Sequence, residues 1–479
     1  VALELIIGPA HAGKIAALYE RYLAELAGGR TAALVVPDQA AKAVTERELL
    51  ARATGVVGAD VVTFDTLFER IARATGDRRT VLHGAARQVV LRRALPDAPA
   101  TLAARFDRLG SALLGPDDVR AAGDASLAES YALWWAALDA QQFVDRARLR
   151  IEAIAALRRD VAAWPAGEAL FAQGFDDLSL AQETLLTLIA QRARAVVSLP
   201  YEAGRSPFAV LTPVVGRLAD LAGSGGIVEL PAGAFDRDPG LAALERRLGE
   251  AEPDRRAERP SLAGIATAEV EGERGEAEVV VGCVAEALRS GIVGQRIAII
   301  GPRGAADRTR LVRQLREAGI EAVGKDQRAL VKTPFGRALN ALLSLAWAPE
   351  PTDSDRLTWL RSAWSGAPAH LVERSERPMR RSLDTLENAI EKAGEPLLRA
   401  LALPPGSRGG ETAAGEVAAA VRGMVQRAHG DRAPVATTTV REDVAVAAAV
   451  LSYLQTVDVV KPAPSRSDVR ELLAELTIS

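Results

Sequence analysis

The chain has 479 residues, 48% of them hydrophobic and 25% charged, enough apolar content for about three globular domains and too much for a disordered polypeptide. Lys and Arg number 59 against 62 for Asp and Glu, so the net charge of −3 gives no global basic field and any nucleic-acid surface must be local. The one cysteine, Cys283, excludes internal disulfides, a cysteine zinc site and an iron–sulfur cluster held by this chain alone, and it fits a reducing, cytoplasmic setting.

In chain order, residues 1–7 form an apolar run too short for a signal peptide or membrane span, with Glu4 in its middle, and read as a first β-strand. A Gly-containing turn leads to helical periodicity over 15–26. A strand at 32–36, a helix to residue 50 and a short strand at 60–64 complete a β-α-β-α-β opening, the pattern of a nucleotide-binding α/β domain with a parallel sheet. Helical patterns then dominate to residue 164. Strand character returns at 169–173 and 195–199, with a helix over 180–193 between them. The charged, Pro-bounded stretch at 249–260 reads as a linker. Beyond it come a strand at 264–270, a helix at 275–290, a strand at 296–300, a helix at 305–318 and a short strand at 321–323. From residue 333 the pattern is helical, with breaks at 349–354, 404–410 and 461–467 and no repeat at a solenoid period. The expected division is a first α/β domain over 1–75 and 165–250 with a helical insertion at 76–164. A linker at 251–262, part of a second α/β domain at 263–332 and a second helical insertion at 333–479 follow.

Six lysines stand against fifty-three arginines, so each lysine stands out, and Lys14 falls in Gly8-Pro9-Ala10-His11-Ala12-Gly13-Lys14-Ile15. That segment fits the phosphate-binding loop G-x-x-x-x-G-K, in which Gly8 and Gly13 let the backbone wrap phosphates and Lys14 neutralises their charge. The hydroxyl that should follow, to hold magnesium, is replaced by Ile15. A motor also needs a carboxylate on magnesium and another to activate water, at the end of a later strand. Aligning Asp177 and Gln182 of the returning strand with the acidic motif of superfamily 1 helicases, D-E-x-Q-D-x-x-x-x-Q, puts Gln173 and Gly174 where the paired acids belong. Sliding the register to use Asp176 and Asp177 loses the Gln182 match and places them beyond the strand end, where they read as acids at a helix N-terminus.

These segments resemble the B subunit of AddAB-type (RexAB-type) helicase-nucleases, which process double-strand DNA ends. The resemblance also draws on residues 34–39, 61–67, 174–179, 198–202, 296–303, 319–320, 333–339 and 360–362, whose order and spacing matter more than any one of them. It implies two RecA-like parallel-sheet domains of the superfamily 1 helicase kind, each with a large α-helical insertion, and a non-motor scaffold that guides single-stranded DNA or DNA ends. The partner it implies is an AddA-like motor helicase subunit. The family's C-terminal nuclease is not in the 479 residues, which on this reading stop inside the second insertion. No catalytic residue, metal or cofactor is assigned to this chain, and the lost hydroxyl and acids argue against ATP–magnesium binding.

Where active helicases of this kind carry a base-stacking aromatic, the chain has 35–41, Val-Val-Pro-Asp-Gln-Ala-Ala, with no ring. The next DNA-facing segment is matched by Thr63, Phe64 and Thr66; equally, Phe64, Leu67, Phe68 and Ile71 have the spacing of a helix's core face. Arginines form two local clusters: Arg146, Arg148, Arg150, Arg158 and Arg159, then Arg374, Arg377, Arg380 and Arg381. Arg146, Arg150, Arg303, Arg377 and Arg381 are the candidate phosphate contacts, although interleaved acids also suit solvated helix faces. The six tryptophans read as core anchors, Cys283 as a core residue, and the histidines show no metal spacing. Two rivals remain: an active ATPase in which Ser179 or Thr31 supplies the hydroxyl and Asp176 or Asp177 the acid, and a protein-interaction subunit that touches neither ATP nor DNA.

Overall fold

The computed structural model describes residues 3–53, 58–96, 98–99, 101–164, 168–232, 239–251, 264–301, 305–322, 328–380, 385–429, 438–460 and 464–478. The chain divides into two compact units, Val1–His83 with Val90–Thr267, and Gly84–Val89 with Ala268–Ser479.

The first unit runs β1 (Leu3–Gly8), α1 (Lys14–Ala27), β2 (Ala32–Val35), α2 (Gln39–Arg52), β3 (Ala59–Val62), α3 (Phe64–Ala74) and β4 (Thr80–Leu82). Then follow α4 (Gly84–Ala94), α5 (Leu102–Ser111), α6 (Pro116–Ala121), α7 (Ala125–Asp139), β5 (Phe143–Asp145), α8 (Arg146–Arg159) and β6 (Ala169–Ala172). It closes with α9 (Leu180–Ala190), β7 (Ala195–Pro200), α10 (Thr212–Ala222), β8 (Ile227–Glu229) and α11 (Pro239–Arg247).

Six of these strands form one sheet in the order β3-β2-β6-β7-β1-β8, every pairing parallel. Residues two apart in a strand share a face. Leu3, Leu5, Ile7, Leu170, Ala172, Val197 and Leu199 therefore meet α3, α8, α9 and α10 on one side, while Ile6, Leu34, Phe171 and Val196 meet Leu18, Tyr19 and Tyr22 of α1 and Leu49 of α2 on the other. Helices cover both faces, as a buried parallel sheet requires. From β1 the chain crosses to β2 in one direction and from β7 to β8 in the other, so the direction of crossover reverses at the C-terminal ends of β1 and β7. In open α/β sheets such a reversal leaves a crevice for ligands.

The expected strand at 60–64 ends at Val62, because Thr63 caps α3 by accepting from the Thr66 amide and Phe64 already belongs to the helix. The helix expected to residue 193 stops at Ala190. Three strands were not legible. β8 adds to β1 as an edge strand, and β4 and β5 pair in parallel within the stretch expected to be wholly helical. Each has three residues, too few to display an alternation.

The second unit contains α12 (Gly272–Arg289), α13 (Ala305–Glu317), β9 (Arg328–Ala329), α14 (Pro334–Trp347), α15 (Asp353–Leu360), α16 (Ala369–Arg380) and α17 (Leu386–Ala393). It continues through α18 (Glu395–Leu401), α19 (Ala413–His429), α20 (Thr438–Val460), α21 (Arg466–Glu475) and β10 (Thr477–Ile478). The helices break at 348–352, 402–412 and 461–465, near the Pro-rich breaks in the sequence. The strands expected at 264–270 and 296–300 are not formed, nor is one present at 321–322. A parallel strand is stable only against a neighbour, and here the apolar side chains lie at the surface, Ile300 being 93% exposed. The only strands of this unit among the described residues are β9 and β10, two residues each and antiparallel. Residues 252–263, most of the expected linker, lie outside the described residues. Among the described residues no helix is long and apolar enough to cross a membrane.

Candidate functional site

The turn from β1 to α1 sits at the reversal point of the sheet. A side chain on Gly8 would meet the Leu230 carbonyl at 2.7 Å and Ala12 at 3.0 Å, so only glycine fits beneath the strand exit. Its own carbonyl accepts from the Tyr201 amide at 3.1 Å, which ties the turn to the end of β7. Gly13 adopts φ 84°, a left-handed conformation in which glycine avoids the Cβ clash, and as N-cap of α1 it brings no side chain to the helix terminus. His11 is also left-handed, at φ 58°.

Lys14 is half-buried, and its ammonium donates to the Pro9 carbonyl of the same turn. Burial lowers its pKa, opposed by the charge of Glu245. Ile15 is 45% exposed in the place where a hydroxyl would be needed. Backbone amides and one cation can attract an anion here, but no side-chain oxygen of the turn can hold magnesium. Neither substitute supplies it. Thr31 adjoins the N-terminal edge of the sheet, its carbonyl accepting from Ala169, while the phosphate-binding turn lies at the opposite edge. Ser179 caps α9, accepting from the Gln182 amide at 3.4 Å while Gln182 accepts from the Ser179 amide at 2.9 Å.

β6 runs directly into Gln173, which is 4% exposed. Its amide nitrogen donates to Tyr19 of α1 at 2.8 Å and to Thr45 of α2 at 3.0 Å, and Tyr19 donates on to Glu48 at 2.9 Å. Burial raises the Tyr19 pKa, with Glu48 adding to the effect. Gln173 thus clamps both helices of that face to the strand end, and its carbonyl oxygen has no hydrogen-bond partner among the described residues. Gly174 is left-handed at φ 79° beside Pro37. Asp176 and Asp177 are exposed and lie before the Ser179 cap, so they are not first-turn acids of the helix; that position belongs to Glu183. Gln182 is engaged in the capping box.

Thr63 and Thr66 are hydrogen-bonded to each other at 3.1 Å, and Phe64 is 3% exposed with its ring 5.1 Å from that of Phe175, leaving no face for a base. Between them Asp65 accepts from Arg146 at 3.0 Å and from Arg150 at 2.7 Å, and Arg150 also donates to Ser111 at 2.8 Å. Burial pushes the Asp65 pKa up, but the two guanidinium groups outweigh it and hold the carboxyl below its ordinary value. Arg148 pairs with Asp139 at 2.8 Å and Glu152 at 2.7 Å, its guanidinium 4.7 Å from the Trp135 ring centre. Arg158 and Arg159 are exposed and make no ion pair among the described residues. Arg374 is exposed; the side chains of Arg377 and Arg380 are not described, and Arg303 and Arg381 lie outside the described residues.

Trp134, Trp164, Trp359 and Trp364 are buried. Cys283, expected in the core, is exposed: α12 turns Ala277 and Val284 inward instead. The described residues contain no cluster of potential metal ligands. Sequence reasoning assigned no role to Asp65, Glu245 or Arg205. Their partners are 80 and 40 residues away, and no local pattern announces such pairs. No model of a known protein family matches the chain, and no curated protein matches it either.

Proposed function

We propose that the chain is a catalytically silent, RecA-like scaffold of the superfamily 1 helicase kind that guides single-stranded DNA or DNA ends beside a separate motor subunit. The observation that carries the silent half of this reading is Gln173. A motor needs an ionised carboxylate where β6 ends, and this chain has a neutral amide held between Tyr19 and Thr45. Lys14 turned onto Pro9 and the apolar Ile15 agree with it. The guiding half rests on the resemblance to AddB-type subunits and on the exposed, unpaired guanidinium groups of Arg158 and Arg159. The engagement of Arg146, Arg148 and Arg150 with acids favours a rival, a subunit that docks proteins and leaves DNA untouched.

The deciding experiment is fluorescence anisotropy of a labelled single strand and of a tailed duplex against the purified chain, across a salt series, with and without Mg-ATP. Affinity that falls linearly in log salt and ignores ATP is the expected result. Absence of binding at low salt would discard DNA guidance in favour of protein docking. Phosphate release above background would discard the silent reading.

A further inference from the structure

Helix α11 and the residues after it are fastened over the same edge of the sheet as the phosphate-binding turn. The fastening comes from Arg205, in the loop after β7. Its guanidinium donates to Glu250 at 2.7 Å and to the side chain of Glu245 at 3.2 Å, and it also donates to the last carbonyls of the helix, Glu245 at 3.0 Å and Arg246 at 3.1 Å. Arg246 reaches back to Glu202 at 2.7 Å, and Ser206 exchanges hydrogen bonds with Glu250 and Ala251, both at 3.2 Å. Gly249 lies so close to Pro207 that a side chain there would sit 3.1 Å from the ring. Arg205 is only 12% exposed and serves at once as ion-pair partner and as C-terminal cap. Tyr201, which heads this loop, is hydrogen-bonded to Gly8 of the turn. The loop therefore joins α11 on one side to the turn on the other, and Glu245 is the acid whose charge acts on Lys14.

We infer that α11 is an autoinhibitory strap: it holds Glu245 as the counter-charge of Lys14, and the Arg205 latch keeps an anion from binding at the turn until the strap is released. A carboxylate fixed beside the only cation of the turn opposes a phosphate both by satisfying the lysine and by repelling the incoming charge. The inference concerns binding alone and is independent of the DNA-guiding reading. Ile15 and Gln173 still deny the turn a magnesium ligand and an acid.

The test is isothermal titration of the full chain with inorganic pyrophosphate, and separately with metal-free ATP. The variants are wild type, Glu245→Gln, Arg205→Ala and Glu245→Gln combined with Lys14→Met. Glu245→Gln is expected to bind pyrophosphate roughly tenfold or more tightly than wild type, and adding Lys14→Met should abolish the gain. In Arg205→Ala, hydrogen exchange over 239–251 should quicken and binding should rise as well. Should Arg205→Ala fail to fold, Glu245→Gln decides alone, since it changes one charge and no volume. Equal binding by wild type and Glu245→Gln would overturn the strap, and so would a gain that survives Lys14→Met. Phosphate release should stay at background in every variant; turnover would overturn the silent reading instead, so the two failures are distinguishable.

Discussion

Gln173 is surrounded by groups that suit an amide. Its nitrogen faces two hydroxyl oxygens, and Glu48 lies one hydrogen bond further on. Gln173→Glu would bury a carboxylate in that cluster, so the variant should lose about 2–4 kcal/mol in chemical denaturation and gain no ATP turnover. The sign of its pH dependence follows from burial: the folded pKa of the new acid is raised, so the deficit against wild type should widen as pH rises through the carboxylate range. Glu416 shows the opposite sign. Arg466 at 2.8 Å, the Gly409 amide at 2.8 Å and the Trp347 indole at 2.6 Å all favour its ionised form, and its pKa is lowered despite burial. The unfolded chain therefore takes up a proton first, and the stability that Glu416 contributes is present above the ordinary glutamate value and lost as pH falls. A Glu416→Gln variant should be less stable at neutral pH and should lack part of the acid-induced loss seen in wild-type melting curves.

At the level of elements, the Thr333-Pro334-Phe335-Gly336 segment that supports the family resemblance has a complete structural account. Thr333 caps α14 by accepting from the Gly336 amide at 2.9 Å, Pro334 occupies the first helical position, and Phe335 packs against Trp364 with ring centres 5.2 Å apart. Gly336 lies against the backbone of Leu330, where a Cβ would come within 1.8 Å of the carbonyl oxygen. Gly336→Ala should therefore cost roughly 2–4 kcal/mol and lower the melting temperature, while the same change at Arg337, exposed on the next position, should be near neutral. An equal response at the two positions would mean that the close approach is not maintained in solution. In the same way α3 is aimed by its ends: Thr63 caps it, and Asp65 ties its first turn to α8 of the insertion.

For the whole molecule, a net charge of −3 leaves DNA binding to local patches, and most arginines of the first insertion already face acids. If the chain guides DNA, reversing the two unpaired charges in Arg158→Glu/Arg159→Glu should weaken oligonucleotide binding. It should also reduce the slope of log affinity against log salt by roughly two. An unchanged slope would place the contact elsewhere. Reversal of Arg146 is a poorer probe, because it would also break the Asp65 pair.

Much of the first unit was legible because hydrophobic periodicity and glycine spacing are local properties. Strands of four to six residues, the turn at Gly8 and Gly13 and the lost hydroxyl at Ile15 could all be read along the chain. The capping role of Ser179 and Gln182, the burial of Gln173 beneath α1 and α2, and the pairing of Asp65 with Arg146 and Arg150 could not. Nor could the failure of residues 296–300 to become a strand, since an apolar run becomes one only when a neighbour offers it a ladder. The latch of Arg205 onto α11 is of the same kind: its charges are 40 residues apart, and folding alone brings them together. Chain-local patterns settle which segments turn, coil or extend. Packing in three dimensions settles which polar groups meet, and with it whether Lys14 faces a phosphate or a carbonyl of its own turn.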